Sequence, residues 1–262
     1  MTKIYAVANQ KGGVGKTTTV VNLAAFMAGS GRRVLIVDMD SQANATSALG
    51  FNKYNVEKST YDVLLQEGRF EDTALKHDET GIELIPAHPE LAGAEVELVN
   101  TIGREYRLRD FLNENASHFD YILIDCPPSL SLLTVNAFVA SKDGIIIPVQ
   151  CEYLALEGLT QLTQTIDLVK KYLNEDLDIR GLVMTMYDGR TNLSRQVVEE
   201  VRKHFPGRVF RTIVPRNVRL SEAPSFGQTI SVYAPNSPGG VAYKVLAAEL
   251  LKGDMAKQGV AA

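Results

Sequence analysis

The chain has 262 residues, a length that allows one large α/β domain with a well-buried core. Hydrophobic residues make up 45% and charged residues 22%, and no stretch approaches eighteen apolar residues without a charge, so no membrane span is expected. The net charge of −4 argues against a general polyanion binder, and two cysteines are too few for a disulfide framework or a metal cluster. Because the first residues also lack a basic-then-apolar leader, we expect a cytoplasmic protein.

Apolar runs rich in β-branched residues alternate along the chain with amphipathic stretches. Strands are predicted at Ile4–Ala8, Arg33–Val37, Ile82–Ile85, Tyr121–Ile124, Gly144–Val149, Leu182–Met186 and Val209–Val214. Helices are predicted at Gly15–Ala28, Arg104–Ala116, Leu130–Ala140, Ala155–Leu173, Leu193–His204 and Gly239–Leu251. The alternation predicts an α/β fold with a doubly wound, mostly parallel sheet and helices on both faces. One domain over residues 1–262 is expected, with a mobile C-terminal tail at about residues 252–262.

A glycine-rich run, NQKGGVGKTTT from Asn9, follows the first predicted strand and opens the first helix. It nearly fits the phosphate-binding pattern G-x-x-x-x-G-K-[ST], but Gln10 stands where the first glycine belongs and Lys11 is an additional lysine. Glycines let successive backbone N–H groups turn toward one anion, which also meets the positive end of the helix dipole. Lys16 can then reach the β- and γ-phosphates, and the Thr17 hydroxyl can bind Mg²⁺. The run therefore predicts a nucleotide phosphate site.

Aspartates follow two of the predicted strands at their carboxyl ends. Asp38 and Asp40 come directly after the strand Arg33–Val37, and Asp125 comes after the strand Tyr121–Ile124. Ligands of open α/β sheets bind at the carboxyl ends of the strands, where an aspartate can hold a metal's water shell or orient an attacking water. We therefore predict functional roles for Asp40 and Asp125, whereas Asp38 is open to a structural role.

Positive charge is concentrated in one segment of this acidic chain. Between Arg180 and Arg219 there are eight arginines and one lysine against one aspartate and two glutamates, a net charge of +6, while the rest of the chain carries −10. Such a segment can present a local electrostatic surface to a polyanion. It can equally be a solvated helix face with salt bridges, and the count along the sequence leaves both interpretations open.

Five separate motifs together resemble one family of nucleotide-dependent proteins. The run KGGVGKTTT is similar to the deviant Walker A motif of the ParA/MinD class of P-loop ATPases. The stretches VDMDSQANAT, DCPPSL, DGRTNLS and PRNVRLSEAPSFGQTI resemble the ParA/Soj subgroup, which partitions chromosomes and plasmids. The resemblance covers nearly the whole chain, from about Lys3 to Leu251, and it implies a P-loop NTPase-like fold.

Residue by residue, the resemblance implies a site for ATP or ADP with Mg²⁺. Lys11 matches the signature lysine, which reaches across a nucleotide-sandwich dimer to the phosphates bound by the other subunit. Thr17 matches the Mg²⁺ ligand, Asp40 the aspartate that positions the hydrolytic water, and Asp125 the Walker B-type aspartate. With Lys11, the phosphate-binding run comprises Gly12, Gly13, Val14, Gly15, Lys16, Thr17 and Thr18. The catalytic residues that the resemblance implies are Lys11, Lys16, Asp40 and Asp125.

The motifs near the C-terminus imply contacts with the base and with DNA. Pro215 and Asn217 match positions that flank the adenine ring. Arg190 and Arg219 match arginines implicated in DNA binding without sequence preference, and both lie in the basic segment. A guanidinium suits this role because it forks onto phosphate oxygens and stays charged, while contacts to the DNA backbone carry no sequence information.

The resemblance implies a slow, Mg²⁺-dependent ATPase that hydrolyses ATP to ADP and phosphate and is stimulated by a partner. ATP-bound homodimers would bind nonspecific double-stranded DNA in the nucleoid, and a ParB-like centromere-binding protein would stimulate hydrolysis and release them. The protein would then be cytoplasmic and nucleoid-associated, with no membrane partner.

Three alternatives share part of this pattern. A ParA-like ATPase that positions a non-DNA cargo, such as a receptor array or a protein compartment, would share every motif, and it stays the open alternative. Membrane-surface positioning, as in MinD, needs a basic amphipathic C-terminal helix, which the stretch KGDMAKQGVAA does not supply. An electron-transfer ATPase like the nitrogenase iron protein needs cluster cysteines, and Cys126 and Cys151 read better as small buried hydrophobes.

Overall fold

An eight-stranded sheet organises the computed structural model, which describes residues 1–153 and 155–260. Its strands are β1 (Lys3–Val7), β2 (Val34–Asp38), β3 (Leu75–Lys76), β4 (Glu83–Ile85), β5 (Tyr121–Asp125), β6 (Ile145–Gln150), β7 (Ile179–Tyr187) and β8 (Val209–Pro215). They lie in the order β3-β4-β2-β5-β1-β6-β7-β8. Every neighbouring pair is parallel except β3 with β4, which is antiparallel. The predicted doubly wound, mostly parallel sheet is confirmed.

Helices cover both faces of this sheet. Those of the described residues are α1 (Lys16–Ala28), α2 (Asn44–Ala48), α3 (Thr60–Leu65), α4 (Phe70–Thr73), α5 (Leu91–Glu97), α6 (Arg107–Asn115), α7 (Leu132–Ala140), α8 (Ala155–Tyr172), α9 (Asn192–His204), α10 (Val218–Glu222), α11 (Ile230–Tyr233) and α12 (Pro238–Val260). Short 3-10 helices occur at Leu98–Asn100, Arg104–Tyr106 and Ala223–Phe226. None of the helices in these described ranges combines the length and the apolarity needed to cross a membrane.

Two apolar layers, one on each face, hold the sheet between the helices. One layer joins the sheet to α6, α7, α8 and α9, and the other joins it to α1, α11 and α12. Every residue of β2 and β5 is buried, as is every residue of β1 except Lys3, which is partly exposed. Continuous apolar runs form these central strands because both of their faces are covered.

The predicted elements agree with the structure to within a few residues at most ends. The exceptions had no predicted counterpart: α2, α3, α4, α5 and β3 between residues 44 and 100, and α10 and α11 between residues 218 and 233. These elements have two to seven residues, so none is long enough to display a helical or alternating apolar period. The antiparallel β3 is also held by only two residue pairs at the edge of the sheet.

The C-terminal helix is longer than predicted. It was expected to end at Leu251, but α12 continues to Val260. Asp254 on this extension is buried and accepts hydrogen bonds from Tyr5 and Arg180, so the segment around it packs against the sheet. Residues 261 and 262 of the expected tail lie outside the described residues, and the mobility of the tail stays a prediction.

Candidate nucleotide-binding site

The glycine-rich loop lies between β1 and α1, at the carboxyl end of the central strand. Gly13 and Gly15 have φ angles of 74° and 90°, in the left-handed region that favours glycine. Gly15 is the residue before α1, and its carbonyl oxygen accepts the first hydrogen bonds of the helix from Thr19. The loop therefore turns the N-terminal end of α1 toward the space above β1, as the phosphate-binding pattern predicts.

Side chains that the sequence analysis missed hold this loop in place. The Lys11 amide donates to the Asn9 side-chain oxygen (3.0 Å), and the Asn9 amide group donates to the Pro148 carbonyl of β6 (2.7 Å). From β7, the Thr185 hydroxyl donates to the Val14 carbonyl (2.9 Å). The Asn9–Pro148 and Thr185–Val14 contacts join residues that are far apart in the sequence, so no local motif could predict them. Together they fix the loop to β6, which neighbours β1, and to β7, the next strand along the sheet.

Lys16 lies inside the loop rather than in solvent. Its side chain is buried, and its ammonium donates to the Lys11 carbonyl at 3.4 Å, a long contact. Burial lowers the pKa of Lys16, and the neighbouring Asp125 and Asp40 oppose this shift. An anion bound in the loop would stabilise the charged ammonium further, as the predicted role requires.

Asp125 and Thr17 meet below the loop. The Thr17 hydroxyl donates to Asp125 Oδ2 at 2.6 Å, while buried Asp125 Oδ1 has no hydrogen-bond partner among the described residues. Burial, followed by the charge of Asp38, raises the pKa of Asp125 well above its usual range. A buried carboxylate oxygen without a partner is costly, and a cation or its water shell would satisfy it. The oxygen atoms of Thr17 and Asp125 are the ligands that Mg²⁺ prefers, so the residues fit this ion.

Asp38 and Asp40 lie beside Asp125 but differ in their partners. Asp38 faces Asp125 across the pairing of β2 with β5, is fully buried, and accepts from the Thr46 amide and hydroxyl (both 2.8 Å) and from the Asp40 amide (3.2 Å). Burial raises the pKa of Asp38 to about 6. Asp40 accepts one hydrogen bond, from the Gln42 amide at 3.0 Å. Asp38 therefore fastens the start of α2, whereas Asp40 keeps acceptor capacity for a ligand.

Lys11 points to a different place from Lys16. Its side chain is 41% exposed, and its ammonium lies 3.9 Å from a carboxylate oxygen of Glu152, which follows β6. Glu152 also accepts from Arg216 at 3.0 Å. The two lysines of the loop thus have separate surroundings, one buried beside Asp125 and one at the surface.

A cavity of ≈ 250 Å³ opens beside the loop, and it contains the two predicted base-flanking residues. Pro215 ends β8 opposite Tyr187, and Asn217 caps α10 by accepting from the Arg219 amide at 3.1 Å. Gly15 and Thr18 of the loop line the same cavity, so the predicted base-flanking residues and the predicted phosphate loop border one space. Met186 also lines it and has a φ of 51°, a strained conformation for methionine that the sequence did not indicate.

Sequence comparisons agree with this geometry. The family model described as AAA domain matches residues 2–179. The sporulation initiation inhibitor protein Soj of Bacillus subtilis (strain 168) is 55% identical, over 95% of this chain and 98% of its own length. The chromosome partitioning protein ParA of Myxococcus xanthus (strain DK1622) is 53% identical, over 97% of this chain and 90% of its own. The chain belongs to the ParA/Soj family of P-loop ATPases.

A solved structure is similar to this ParA/Soj-family chain in three dimensions as well as in sequence. The crystal structure of cobyrinic acid a,c-diamide synthase from Mycobacterium smegmatis, with bound ATP analogue and magnesium, superposes with a TM-score of 0.85 at 39% identity. The match covers 96% of this chain and 95% of the other. The predicted family and P-loop ATPase fold are thereby confirmed.

The two arginines that the ParA/Soj resemblance assigns to DNA are exposed, but each has a carboxylate partner. Arg190 is 88% exposed and forms an ion pair with Asp188 at 2.7 Å. Arg219 is 53% exposed and pairs with Glu222 at 2.7 Å. Exposed ion pairs contribute little to stability, so either arginine can exchange its carboxylate for another anion at small cost.

The charge of the basic segment is partly offset in three dimensions. Five of its eight arginines form ion pairs: Arg180 with Asp254, Arg190 with Asp188, Arg208 with Asp178, Arg216 with Glu152 and Arg219 with Glu222. Four of these five carboxylates lie outside the counted segment, so the count along the sequence overstated the local charge. Within the described residues, Arg195, Arg202, Lys203 and Arg211 have no ion pair, and all four are exposed.

Proposed function

We propose that this ParA/Soj-family ATPase partitions DNA, with an ATP-bound dimer that binds DNA without sequence preference and leaves it after hydrolysis. The observation that carries its nucleotide-dependent part is the pair Thr17–Asp125 below the phosphate loop, where the second Asp125 oxygen has no partner among the described residues. The relatives named chromosome partitioning protein ParA support a partitioning role. Beyond a partitioning role, we propose three finer steps: DNA binding, dimerisation and stimulation by a ParB-like partner.

In this proposal the site binds ATP or ADP together with Mg²⁺. The amides of the run Gly12–Thr18 and the Lys16 ammonium hold the phosphates, and the cavity between Pro215 and Asn217 takes the adenine ring. Thr17 and Asp125 would hold the magnesium, which would supply charge neutralisation at the phosphate oxygens. The solved relative with ATP analogue and magnesium supports this assignment.

Hydrolysis needs a water aligned with the terminal phosphate and a way to stabilise negative charge as it develops. We assign the alignment to Asp40, whose carboxylate makes one hydrogen bond and keeps acceptor capacity. Asp38 acts on this geometry indirectly, because it holds both the Asp40 amide and Thr46 at the start of α2. Lys16 faces the developing charge from inside the loop.

We assign to Lys11 the coupling between bound ATP and dimerisation. Within the part of the chain that the structure describes, its exposed ammonium has one ion pair, the long contact to Glu152, so little is lost when it moves to a partner subunit's phosphates. A γ-phosphate at the interface would then favour the dimer, and its hydrolysis would remove that contact. A dimer presents Arg190 and Arg219 twice, and affinity for DNA rises steeply with the number of phosphates contacted. The protein would act in the cytoplasm on the nucleoid, with no membrane partner.

The test is binding to random-sequence duplex DNA with ATP, with ADP and without nucleotide, at two salt concentrations. We expect binding with ATP alone, weakened by salt and lost in the double variant Arg190→Ala/Arg219→Ala. Arg208→Ala is the matched control, because Arg208 is an exposed, ion-paired arginine at the opposite end of the sheet. Absence of DNA binding in every nucleotide state, with ATP-dependent dimers intact, would refute the DNA role and favour a non-DNA cargo.

A further inference from the structure

An exposed aromatic ring lies next to one of the two proposed DNA-binding arginines. Phe226, the last residue of the 3-10 helix after α10, is 65% exposed and stacks on Tyr233, with ring centroids 5.2 Å apart and an interplanar angle of 20°. The Tyr233 hydroxyl donates to Glu222 at 3.2 Å, and the same oxygen of Glu222 accepts from Arg219 at 2.7 Å. We name these four residues the Phe226 cluster: Arg219, Glu222, Phe226 and Tyr233.

The backbone holds this ring in a fixed position. Gly227 follows Phe226 with a φ of 64°, in the left-handed region, and it packs directly against Gly50, the second residue after α2. A Cβ atom at Gly227 would lie 2.6 Å from the Gly50 Cα, which is too close for any side chain. The stack on Tyr233 restrains the ring from its other side. The backbone after Phe226 and the stacked Tyr233 ring thus limit the positions open to the Phe226 side chain, which lowers the conformational entropy lost on binding.

The surroundings of the ring favour a polyanion as its partner. A single exposed apolar side chain is ordinary in a folded protein and needs no explanation. Here the ring is linked through Tyr233 and Glu222 to Arg219, an exposed guanidinium that the proposed function already assigns to a DNA phosphate. Val218, at the start of α10, is a second exposed apolar residue in this stretch. Apolar and guanidinium groups side by side match the sugar and phosphate surface of a nucleic acid.

We propose that Phe226 is an apolar contact of the DNA-binding surface, seated against the sugars or base edges of a groove while Arg219 bonds the adjacent phosphate. This inference rests on the proposed DNA-binding function and adds a residue that the family resemblance did not supply. When Arg219 turns to a phosphate it leaves Glu222, and the stack with Tyr233 keeps Phe226 in place. The ring contributes affinity without neutralising a phosphate, and this separates its effect from that of arginine.

The experiment measures binding of random-sequence duplex DNA in the ATP state over a range of salt concentrations. Phe226→Ala should weaken binding about tenfold at every salt concentration, because apolar burial is lost and no counterion release changes. The plot of log affinity against log salt should therefore keep its slope. Arg219→Ala should instead make the slope shallower, by about one for each lost phosphate contact.

Two further variants make the outcome decisive. Phe226→Tyr keeps the ring and should retain most of the affinity, whereas Tyr172→Ala removes a 66% exposed aromatic residue of α8 and should change nothing. ATP-dependent dimerisation and basal hydrolysis should be unchanged in all three aromatic variants. DNA affinity of Phe226→Ala equal to wild type would overturn the inference, as would intact DNA affinity with loss of partner-stimulated hydrolysis alone. A wild-type chain that binds no DNA would refute the proposed function itself.

Discussion

Two buried aspartates lie at opposite ends of the same sheet, and their surroundings differ in one respect. Asp254, at the amino end, accepts from Tyr5 (2.8 Å), from Tyr121 (3.2 Å) and twice from Arg180 (3.1 and 3.0 Å). Asp125, at the carboxyl end, accepts from Thr17 alone, and its second oxygen has no partner among the described residues. Both are almost completely buried, so exposure does not distinguish them.

The difference separates structure from function. A buried carboxylate that has its hydrogen bonds and its cation holds elements together, as Asp254 holds α12 to β1, β5 and β7. A buried carboxylate that lacks them raises the free energy of the folded state and marks a place where a ligand is expected. Asp125 has two further aspartates and one buried lysine near it, a group that an Mg²⁺–phosphate ligand would complete.

The largest effect, on the rate of ATP hydrolysis, is expected at Asp40, which lies beside Asp125 at the carboxyl end of the sheet. Asp40→Asn removes the acceptor that aligns water, so phosphate release from ATP should slow by about 100-fold or more. ATP binding should persist, because Asp40 is outside the phosphate loop. Asp188→Asn is the control, since Asp188 is an acceptor of Arg190 at the surface. Turnover of Asp40→Asn at the wild-type rate would remove Asp40 from the mechanism.

The next largest effect, on the free energy of unfolding, is expected at Asp254, at the amino end of the sheet. Asp254→Ala leaves the Arg180 guanidinium, with 11% side-chain exposure, without its carboxylate, so the free energy of unfolding should fall by about 3–5 kcal/mol. Denaturant unfolding measures this change. The fraction that stays folded should hydrolyse ATP at the normal rate, because the cluster is at the end of the sheet away from the loop. Loss of hydrolysis with unchanged stability would reverse the assignment.

In the nucleotide-free protein, Asp125→Asn should change the free energy of unfolding in the opposite direction to Asp254→Ala. Replacement of a buried, under-bonded carboxylate by a neutral amide removes a destabilising charge, so the free energy of unfolding should rise by about 1 kcal/mol at pH 7. ATPase activity should be lost in the same variant. Thermal unfolding without nucleotide checks the sign, and a variant less stable than wild type would show that Asp125 is also a structural residue.

The last effect is a pH dependence from Asp38, which is seen across a pH range and not at a single pH. Burial raises its pKa in the folded state to about 6, above the ordinary carboxyl value of 3.8, so the folded state holds the proton more tightly than the unfolded state. The stability linked to this proton is complete below about pH 4 and is lost as the pH rises to 6. The unfolding free energy of wild type minus that of Asp38→Asn should therefore fall over this range. A difference that is constant from pH 4 to 6 would contradict the shift.

The sequence was sufficient where the structure depends on local patterns. The phosphate loop, Asp125 and the parallel sheet follow from a glycine run, two aspartates after apolar strands, and the alternation of periods. It was insufficient where contacts are long-range. Thr185 reaches Val14 across 171 residues, and Asn9 reaches Pro148 across 139, so neither anchor has a signature along the chain.

Charge was the least predictable property. Arg180 counted as part of a positive segment, but its partly buried side chain pairs with Asp254, which lies 74 residues away. The net charge of a window says which charges are present but not which of them fold against each other. The short elements between α2 and α5 were missed for a related reason, because tertiary packing and not propensity decides elements of this length.

The most direct test is to measure how far ATP raises the free energy of unfolding, once with magnesium and once with a chelator. The measurement compares wild type with Asp125→Asn and Asp254→Asn. Ligand at 100 times its dissociation constant raises the free energy of unfolding by about 2.7 kcal/mol. We expect a magnesium-dependent increase in wild type and an equal increase in Asp254→Asn, despite its lower starting stability, and none in Asp125→Asn. An equal magnesium-dependent increase in Asp125→Asn would contradict the assignment of the unpartnered carboxylate to the nucleotide site.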